Sequence, residues 1–218
     1  MKKQGIYYPI VLFMLLLLTI MFTEKNIYLA PNLNVNAGLI IYPFTFLLVV
    51  LMYKKYNMKY VRKTLYSSFI LLFCFYLLMI ILNTIDGITS SQIITNSLRN
   101  IFTPNSLTIN NKFIYYPNIA VLLTFTVVYF ISHFIFITVY EAIEGTTNHL
   151  IAFILSIMIG FTLDQILFTP LSNIPRIIDN TLSYKSLIEI MTANFIVVIF
   201  SSVLMLFIYA IAHKKVTS

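Results

Sequence analysis

Asp164 stands out chemically, because it is an ionisable residue with apolar neighbours on both sides. It lies in Gly-Phe-Thr-Leu-Asp-Gln at 160–165, and Gly160 precedes it by one helical turn on the same face. A carboxylate among apolar residues is costly unless donors surround it. Two interpretations are open. Either the carboxylate accepts hydrogen bonds from an amine or amidine of a substrate, or it bonds neighbouring Thr or Tyr hydroxyls and fixes helix packing. Gly160 leaves room for a ligand or for a second helix.

His133, in Tyr-Phe-Ile-Ser-His at 129–133, is the second ionisable candidate. At about 1.5 Å per residue, His133 lies roughly 10 Å and Asp164 roughly 20 Å from the cytoplasmic ends of their helices. The sequence therefore does not require a direct pair. Glu189 begins the last apolar run, where it favours the positive end of a helix dipole. Polar residues within the runs either line a polar interior or bridge helices. The candidate substrate-binding residues are Asp164, Thr45, Tyr129, Ser132, His133 and Asn194, with Tyr76, Ser201 and Ser202 as further polar positions.

Motifs of enzymes are absent from the sequence. There is no His-Glu-x-x-His, no Gly-x-Ser-x-Gly, no Gly-rich phosphate loop and no pair of carboxylates within an apolar run. Cys74 is the single cysteine, so no disulfide or cysteine metal site can form within one chain. We therefore predict a protein that is not an enzyme, with no catalytic residue, no metal ligand and no cofactor. Without an ATP-binding motif, the chain cannot power active transport by itself.

The elements that position these residues follow from composition. Of 218 residues, 60% are hydrophobic and only 10% are charged, whereas about a quarter of a soluble domain is charged. Each membrane span takes roughly 20 apolar residues. We predict an all-α membrane protein, a bundle of six transmembrane helices forming a single transmembrane domain over residues 1–218. The six apolar runs are Ile6–Phe22, Ala37–Tyr53, Leu65–Leu82, Tyr116–Tyr140, Leu150–Leu171 and Leu187–Ala212.

Two local features qualify this pattern. Pro43 lies inside the second run and predicts a kink, since proline has no N–H to donate. The connection Asn83–Tyr115 is long for a compact protein. Part of it is expected either to form a short interfacial helix near Ser97–Phe102 or to remain a loop.

Charge predicts the orientation. With six spans, nine of the 14 basic residues fall on one side, close to the span ends, and five fall on the other. By the positive-inside rule, both termini are cytoplasmic and the protein lies in the cell membrane. The net charge of +7 is explained by this bias, so the expected partner is the lipid bilayer and not nucleic acid. The nine residues are Lys2, Lys3, Lys54, Lys55, Lys59, Arg62, Lys63, Lys214 and Lys215.

Several segments resemble the vitamin uptake-like, queuosine-precursor transporter family. They are Tyr-Pro-Phe-Thr-Phe-Leu-Leu at 42–48, Tyr-Lys-Lys-Tyr-Asn at 53–57, Val-Arg-Lys-Thr-Leu-Tyr at 61–66, Tyr-Phe-Ile-Ser-His at 129–133, Asn-His-Leu at 148–150 and Leu-Asp-Gln-Ile-Leu-Phe at 163–168. The similarity runs from about Ala37 to Ile211. It implies a fold similar to the substrate-binding subunits of energy-coupling factor transporters.

The chain also departs from this family's pattern at polar positions. The family's intramembrane polar residues fall here on Val50, Lys54, His133, Phe136, Phe161, Asn194 and the stretch 201–203, while Asp164, Thr45 and Ser132 persist. The resemblance implies uptake of a queuosine precursor, a 7-deazaguanine base, or of a similar small nucleobase-like or vitamin-like molecule. Binding is then expected near Asp164, in the outer half of the bundle.

Two alternatives remain open. The chain is a structural or accessory subunit that kept the fold and lost the site, with other membrane subunits as partners, or it is a binding subunit that needs a separate ATPase.

Overall fold

The structure is a computed structural model and describes residues 7–23, 26–30, 33–84, 106–109, 112–115, 119–178 and 182–217. All six apolar runs form helices. The second run divides in two, so the described helices are α1 (Tyr7–Thr23), α2 (Gly38–Ile41), α3 (Pro43–Lys55), α4 (Met58–Thr84), α5 (Ile119–Glu144), α6 (His149–Ile178) and α7 (Tyr184–Thr217).

Five helical segments are long and apolar enough to cross a membrane. They are Gly38–Lys55, Met58–Leu78, Val121–Glu144, His149–Ile174 and Tyr184–Ala212, and Tyr7–Phe22 is a shorter apolar helix. The helical, multi-pass membrane architecture is thus confirmed. The count of six spans and the cytoplasmic placement of both termini stay predictions.

Two short hairpins lie in the connections, where the sequence analysis expected no strands. β1 (Asn26–Ala30) pairs with β2 (Leu33–Asn36), and β3 (Ser106–Ile109) pairs with β4 (Lys112–Tyr115), both antiparallel. Leu-Asn-Val-Asn in β2 alternates apolar and polar residues, the period of a strand with one buried face. Val35 of β2 is accordingly buried, and β2 packs on α2 and α7. The all-α prediction therefore holds for the spans but not for these connections. The interfacial helix proposed near Ser97–Phe102 lies outside the described residues.

The helix assignment is interrupted beside Pro43, between α2 and α3, while the kink itself stays a prediction. Proline cannot donate the next hydrogen bond of a helix. Tyr42, directly before it, keeps helical backbone angles (φ −55°, ψ −40°), and its N–H donates to the Gly38 carbonyl at 3.0 Å. The backbone thus stays helical through the interruption, and Tyr42 occupies the junction.

The helices pack around a core rich in aromatic side chains. α5 lies antiparallel to α6, α6 to α7, and α3 contacts α1, α4, α5, α6 and α7. α4 begins at Met58, seven residues before the predicted start. Its first turns carry Lys59, Arg62 and Lys63 on exposed positions, so they do not belong to an apolar run although they are helical. The largest fully buried side chains belong to α2–α3 and to α5–α7, and include Tyr42, Phe46, Tyr129, Phe136, Phe153, Phe161 and Tyr209.

Candidate functional site

Asp164 lies at the centre of a buried hydrogen-bond network. Its carboxylate is 4% exposed. Oδ1 accepts from the Tyr42 hydroxyl at 2.7 Å and from Ser132 Oγ at 3.3 Å, and Oδ2 accepts from Gln165 Nε2 at 3.0 Å. Hydrogen bonds to an ionised acceptor are among the strongest in proteins. Three donors from α2–α3, α5 and α6 thus converge on one carboxylate.

His133 belongs to the same network. Its Nε2 lies 2.7 Å from Thr45 Oγ1, and its Nδ1 lies 3.0 Å from the Tyr129 carbonyl and 3.5 Å from the Tyr42 hydroxyl. The Phe46 ring stacks on the imidazole with centroids 3.9 Å apart. His133 and Asp164 are not directly bonded. The Tyr42 side chain spans the distance between them, which the depth estimates along separate helices did not anticipate.

Close packing at Gly160 brings α6 against α5. A Cβ built on Gly160 would lie 2.7 Å from Phe136 Cβ and 3.2 Å from the Ser132 carbonyl oxygen. The space left by the missing side chain is therefore filled by a helix and not by a ligand. This approach places Asp164, one turn further along α6, within reach of Ser132.

A polar strip continues from Asp164 towards the C-terminal end of α6. Gln165 bonds Asp164 through Nε2, while its Oε1 accepts from Thr169 Oγ1 at 3.4 Å, and Thr169 Oγ1 accepts from Asn194 Nδ2 at 3.3 Å. Asn194 is 5% exposed, and its Oδ1 has no hydrogen-bond partner within the part of the chain that is described. The strip thus ends in a buried acceptor on α7.

The opposite direction along α6 is closed by aromatic rings. Phe46, Phe136, Phe153 and Phe161 are fully buried, and Phe46 lies edge-on to Phe136 at 5.0 Å and to Phe161 at 5.7 Å. We call these four residues the aromatic seal. Beyond it, the Tyr140 and Tyr209 hydroxyls are 2.8 Å apart. Along α6, the hydrogen bonds of Asp164 therefore continue towards Gln165 and Thr169 and not towards the aromatic seal.

An ion pair lies at the end of α3 and α5, beyond the two tyrosines. Lys54 pairs with Glu144, and Glu144 also accepts from the Tyr140 hydroxyl at 3.2 Å. Because Tyr140 contacts Tyr209, these four side chains connect α3, α5 and α7. This end is the cytoplasmic end in the predicted orientation.

The six predicted site residues are all buried, but they are not equivalent. Asp164, Ser132, His133 and Thr45 lie in the central network. Tyr129 contributes its carbonyl to His133, while its hydroxyl bonds Ser68 Oγ at 2.7 Å and points away from Asp164's partners. Asn194 is connected to Asp164 only through Thr169 and Gln165.

Three network residues were missed by the sequence analysis, namely Tyr42, Gln165 and Thr169. Tyr42 lies three residues before Thr45, and Thr169 four residues after Gln165, so each pair shares a helix face. That spacing was the available signal. Glu189 is exposed on α7 and takes no part in the network. The described residues contain no group of three His, Cys, Asp or Glu side chains that could hold a metal ion.

Comparison with known proteins identifies a family. A family model described as "Putative vitamin uptake transporter" matches residues 36–212. No curated protein and no solved structure matches the chain significantly. The matched range contains every residue of the network described above and five of the apolar spanning segments. Since the model covers most of the 218 residues, the chain belongs to the putative vitamin uptake transporter family.

Proposed function

We propose that this protein takes up a small polar heterocyclic molecule, with a queuosine precursor (a 7-deazaguanine base) or a similar nucleobase-like or vitamin-like compound as its substrate class. Family membership supports a small-molecule transporter in a lipid bilayer and suggests a protein without catalytic activity. The observation that carries the proposal is Asp164, a carboxylate buried between three helices and continuous with the polar strip to Asn194.

The chemistry of the network suits such a substrate. A carboxylate accepts two parallel N–H donors, such as an exocyclic amine and the adjacent ring N–H of a guanine-like base. Asn194 Oδ1 is a further buried acceptor without a described partner. Tyr42 donates to Asp164, and its ring packs against Phe161 with centroids 5.5 Å apart, so the carboxylate has aromatic neighbours of the kind that suit a flat ring. In the present conformation protein donors occupy the carboxylate, so a substrate would replace the Tyr42 or Gln165 donor.

A thermal-shift screen tests this proposal. The purified protein is heated with 7-deazaguanine bases, nucleobases and water-soluble vitamins, each beside Asp164→Asn and beside Glu189→Gln. A ligand that binds only the folded state at 100 times its Kd adds about 2.7 kcal/mol, which raises Tm by about 5–11 °C for a chain of this size. The shift should vanish in Asp164→Asn and persist in Glu189→Gln, which loses an exposed carboxylate outside the network. An equal shift in both variants would exclude Asp164 from binding.

One observation favours a second function. Three protein groups on separate elements, the Tyr42 and Ser132 hydroxyls and the Gln165 amide, donate to Asp164, and such a set is also expected of a carboxylate that only fixes helix packing. The chain would then be an accessory subunit of a membrane complex. Native mass measurement on protein extracted from its own membrane separates the two functions. A larger complex with other subunits supports the accessory role, whereas a chain that runs alone counts against it.

A further inference from the structure

One face of α4 carries a stripe of exposed side chains whose chemistry changes in order along the helix. The stripe begins with three cations, continues with a tyrosine and ends with apolar residues. Its members recur with the i, i+3, i+4 and i+7 spacing of a single helix face. We call them the α4 stripe: Lys59, Arg62, Lys63, Tyr66, Ile70 and Phe73.

Carboxylates do not neutralise the cations of the stripe. Lys54 pairs with Glu144 where α3 and α5 end. Within the described residues, no ion pair involves the other basic residues of this segment, which are Lys55, Lys59, Arg62 and Lys63. Residues 54–63 contain no Asp or Glu, and Glu141 is the one carboxylate of α5 besides Glu144. Outside the Lys54 pair, four cations are thus set against one carboxylate, an excess of three positive charges.

The Arg62 guanidinium is held over the seam between α4 and α5. Its Cζ lies 5.6 Å from the centre of the Phe134 ring on α5, and an aromatic face attracts a cation. A guanidinium above a ring keeps the N–H groups at its edge available for a phosphate. The seam continues with the rings of Tyr66 and Phe130, whose centroids are 5.2 Å apart, and Tyr66 is 50% exposed. Both helices therefore contribute to one surface.

The order of chemistry along the stripe is that of a phospholipid molecule. A phospholipid has a charged headgroup, then an interfacial region in which tyrosine is favoured, then acyl chains. From Tyr66 to Leu77 the helix rises about 16 Å at about 1.5 Å per residue, which is about half of a hydrocarbon core of about 30 Å. The apolar part thus matches one leaflet. An anion dissolved in water would use the cations alone, whereas the aromatic and apolar continuation fits an anion that carries acyl chains.

We infer that the α4 stripe, together with Phe130 and Phe134 of α5, binds an anionic phospholipid, with its phosphate at Arg62 and Lys63 and an acyl chain along the seam. The inference does not rest on the proposed function. The positive-inside bias requires cations near the span ends, but neither a shared helix face nor a guanidinium held over a ring. The bound lipid would join α4 and α5 from outside, as the bond between Ser68 Oγ and the Tyr129 hydroxyl joins them inside the bundle.

Fluorescence quenching by brominated lipids tests the site in vesicles of the intact protein. The sequence contains no tryptophan, so Tyr66→Trp places a single reporter in the stripe, and Phe207→Trp places one on α7. Phe207 is 65% exposed and lies near Tyr209, at the same end of the bundle as Glu144. Brominated phosphatidylglycerol should bind beside Tyr66→Trp about 30-fold more tightly than brominated phosphatidylcholine, and the preference at Phe207→Trp should be several-fold smaller. Equal preferences at the two reporters would show only a general attraction for anionic lipid and would overturn the inference.

Variants that remove charge separate the stripe from the net charge of the protein. In the Tyr66→Trp background, Arg62→Gln with Lys63→Gln should lower the affinity for phosphatidylglycerol about 30-fold, since each basic residue near anionic lipid contributes about fivefold. Lys214→Gln with Lys215→Gln is the matched control, because it removes the same charge from the end of α7, which packs on α6 and α3. The control should keep the preference. Quenching by phosphatidylcholine should be the same in both variants, which shows that they are folded. Equal losses of affinity in the two would overturn the site.

Two further measurements test the geometry and the class of anion. Phe134→Leu keeps an apolar side chain but removes the aromatic face beneath Arg62, so the preference for phosphatidylglycerol should fall about two- to fivefold. An unchanged preference would overturn the placement of Arg62 over the seam. Inorganic phosphate, compared with chloride at equal ionic strength, should not displace the brominated phosphatidylglycerol beside Tyr66→Trp. Displacement would assign the cations to a free anion and overturn the lipid site.

Discussion

Gly160→Ala should destabilise the protein by forcing α5 away from α6. The added Cβ would lie 2.7 Å from Phe136 Cβ, about 0.7 Å inside an ordinary contact, and 3.2 Å from the Ser132 carbonyl oxygen. The Phe46 ring, 3.1 Å away, is stacked on His133, and the other two atoms belong to or adjoin the α5 backbone. Overpacking of this kind costs about 1–3 kcal/mol, and the upper half of that range applies because a helix must shift.

The net magnitude includes an opposing term. Alanine favours a helix over glycine by about 1 kcal/mol, so the expected loss is about 1–2 kcal/mol. For a chain of this length that lowers Tm by about 2–8 °C. Because the shift also separates Ser132 from Asp164, ligand affinity should fall as well. Thermal unfolding in detergent, followed by intrinsic fluorescence of the tyrosines, measures the stability.

Gly145→Ala is the matched control for this prediction. Gly145 follows the end of α5, has no atom within 4 Å of a built Cβ, and requires no left-handed backbone. Its substitution should leave Tm unchanged within about 1–2 °C. If Gly160→Ala proved as stable as the parent and as Gly145→Ala, the close approach of α5 and α6 would be wrong, and so would the placement of Ser132 beside Asp164.

Three further predictions concern the polar contacts around the network. Glu144→Gln should lower the free energy of unfolding by about 1 kcal/mol, since its partner Lys54 is only partly buried. The exchange Lys54→Glu with Glu144→Lys should restore part of this stability, measured by thermal unfolding. Tyr140→Phe should cost about 1 kcal/mol by removing a buried hydroxyl pair, measured as a lower Tm. Asn194→Leu removes a buried oxygen without a described partner but also the Nδ2 donor to Thr169, so the two effects should largely cancel and leave Tm nearly unchanged, yet it should abolish the ligand-induced Tm shift.

The sequence alone predicted the positions of the long helices, because a helix in a lipid bilayer is marked by a long run of apolar residues. Runs of about 20 apolar residues have few alternatives to a helix, and α5 and α6 begin within three residues of their predicted starts. The start of α4 was missed because exposed basic residues in its first two turns hide the helix from a hydrophobicity count. The hairpin β1–β2 was missed because four alternating residues are a weak pattern.

The network itself was only partly predictable, because it depends on side-chain reach between helices. Asp164 and His133 were selected as ionisable residues in apolar runs, which requires no coordinates. Their link through Tyr42 required knowing that Gly160 brings α6 against α5 and that the Pro43 break leaves Tyr42 facing both. The depth of a residue along its own helix does not reveal a side chain that reaches across to a neighbouring helix. The estimated depths of His133 and Asp164 therefore gave no sign of their link through Tyr42.

The aromatic seal contains two positions that the resemblance in the sequence analysis implies to be polar in the family. They hold Phe136 and Phe161 here, and both rings pack against Phe46. The polar groups that accompany Asp164 lie instead towards the C-terminal end of α6, at Gln165 and Thr169. The groups of this buried polar strip cost free energy to desolvate, and helix packing alone gives no reason for its unpartnered acceptor at Asn194. The strip therefore supports the proposed transporter over a purely structural subunit.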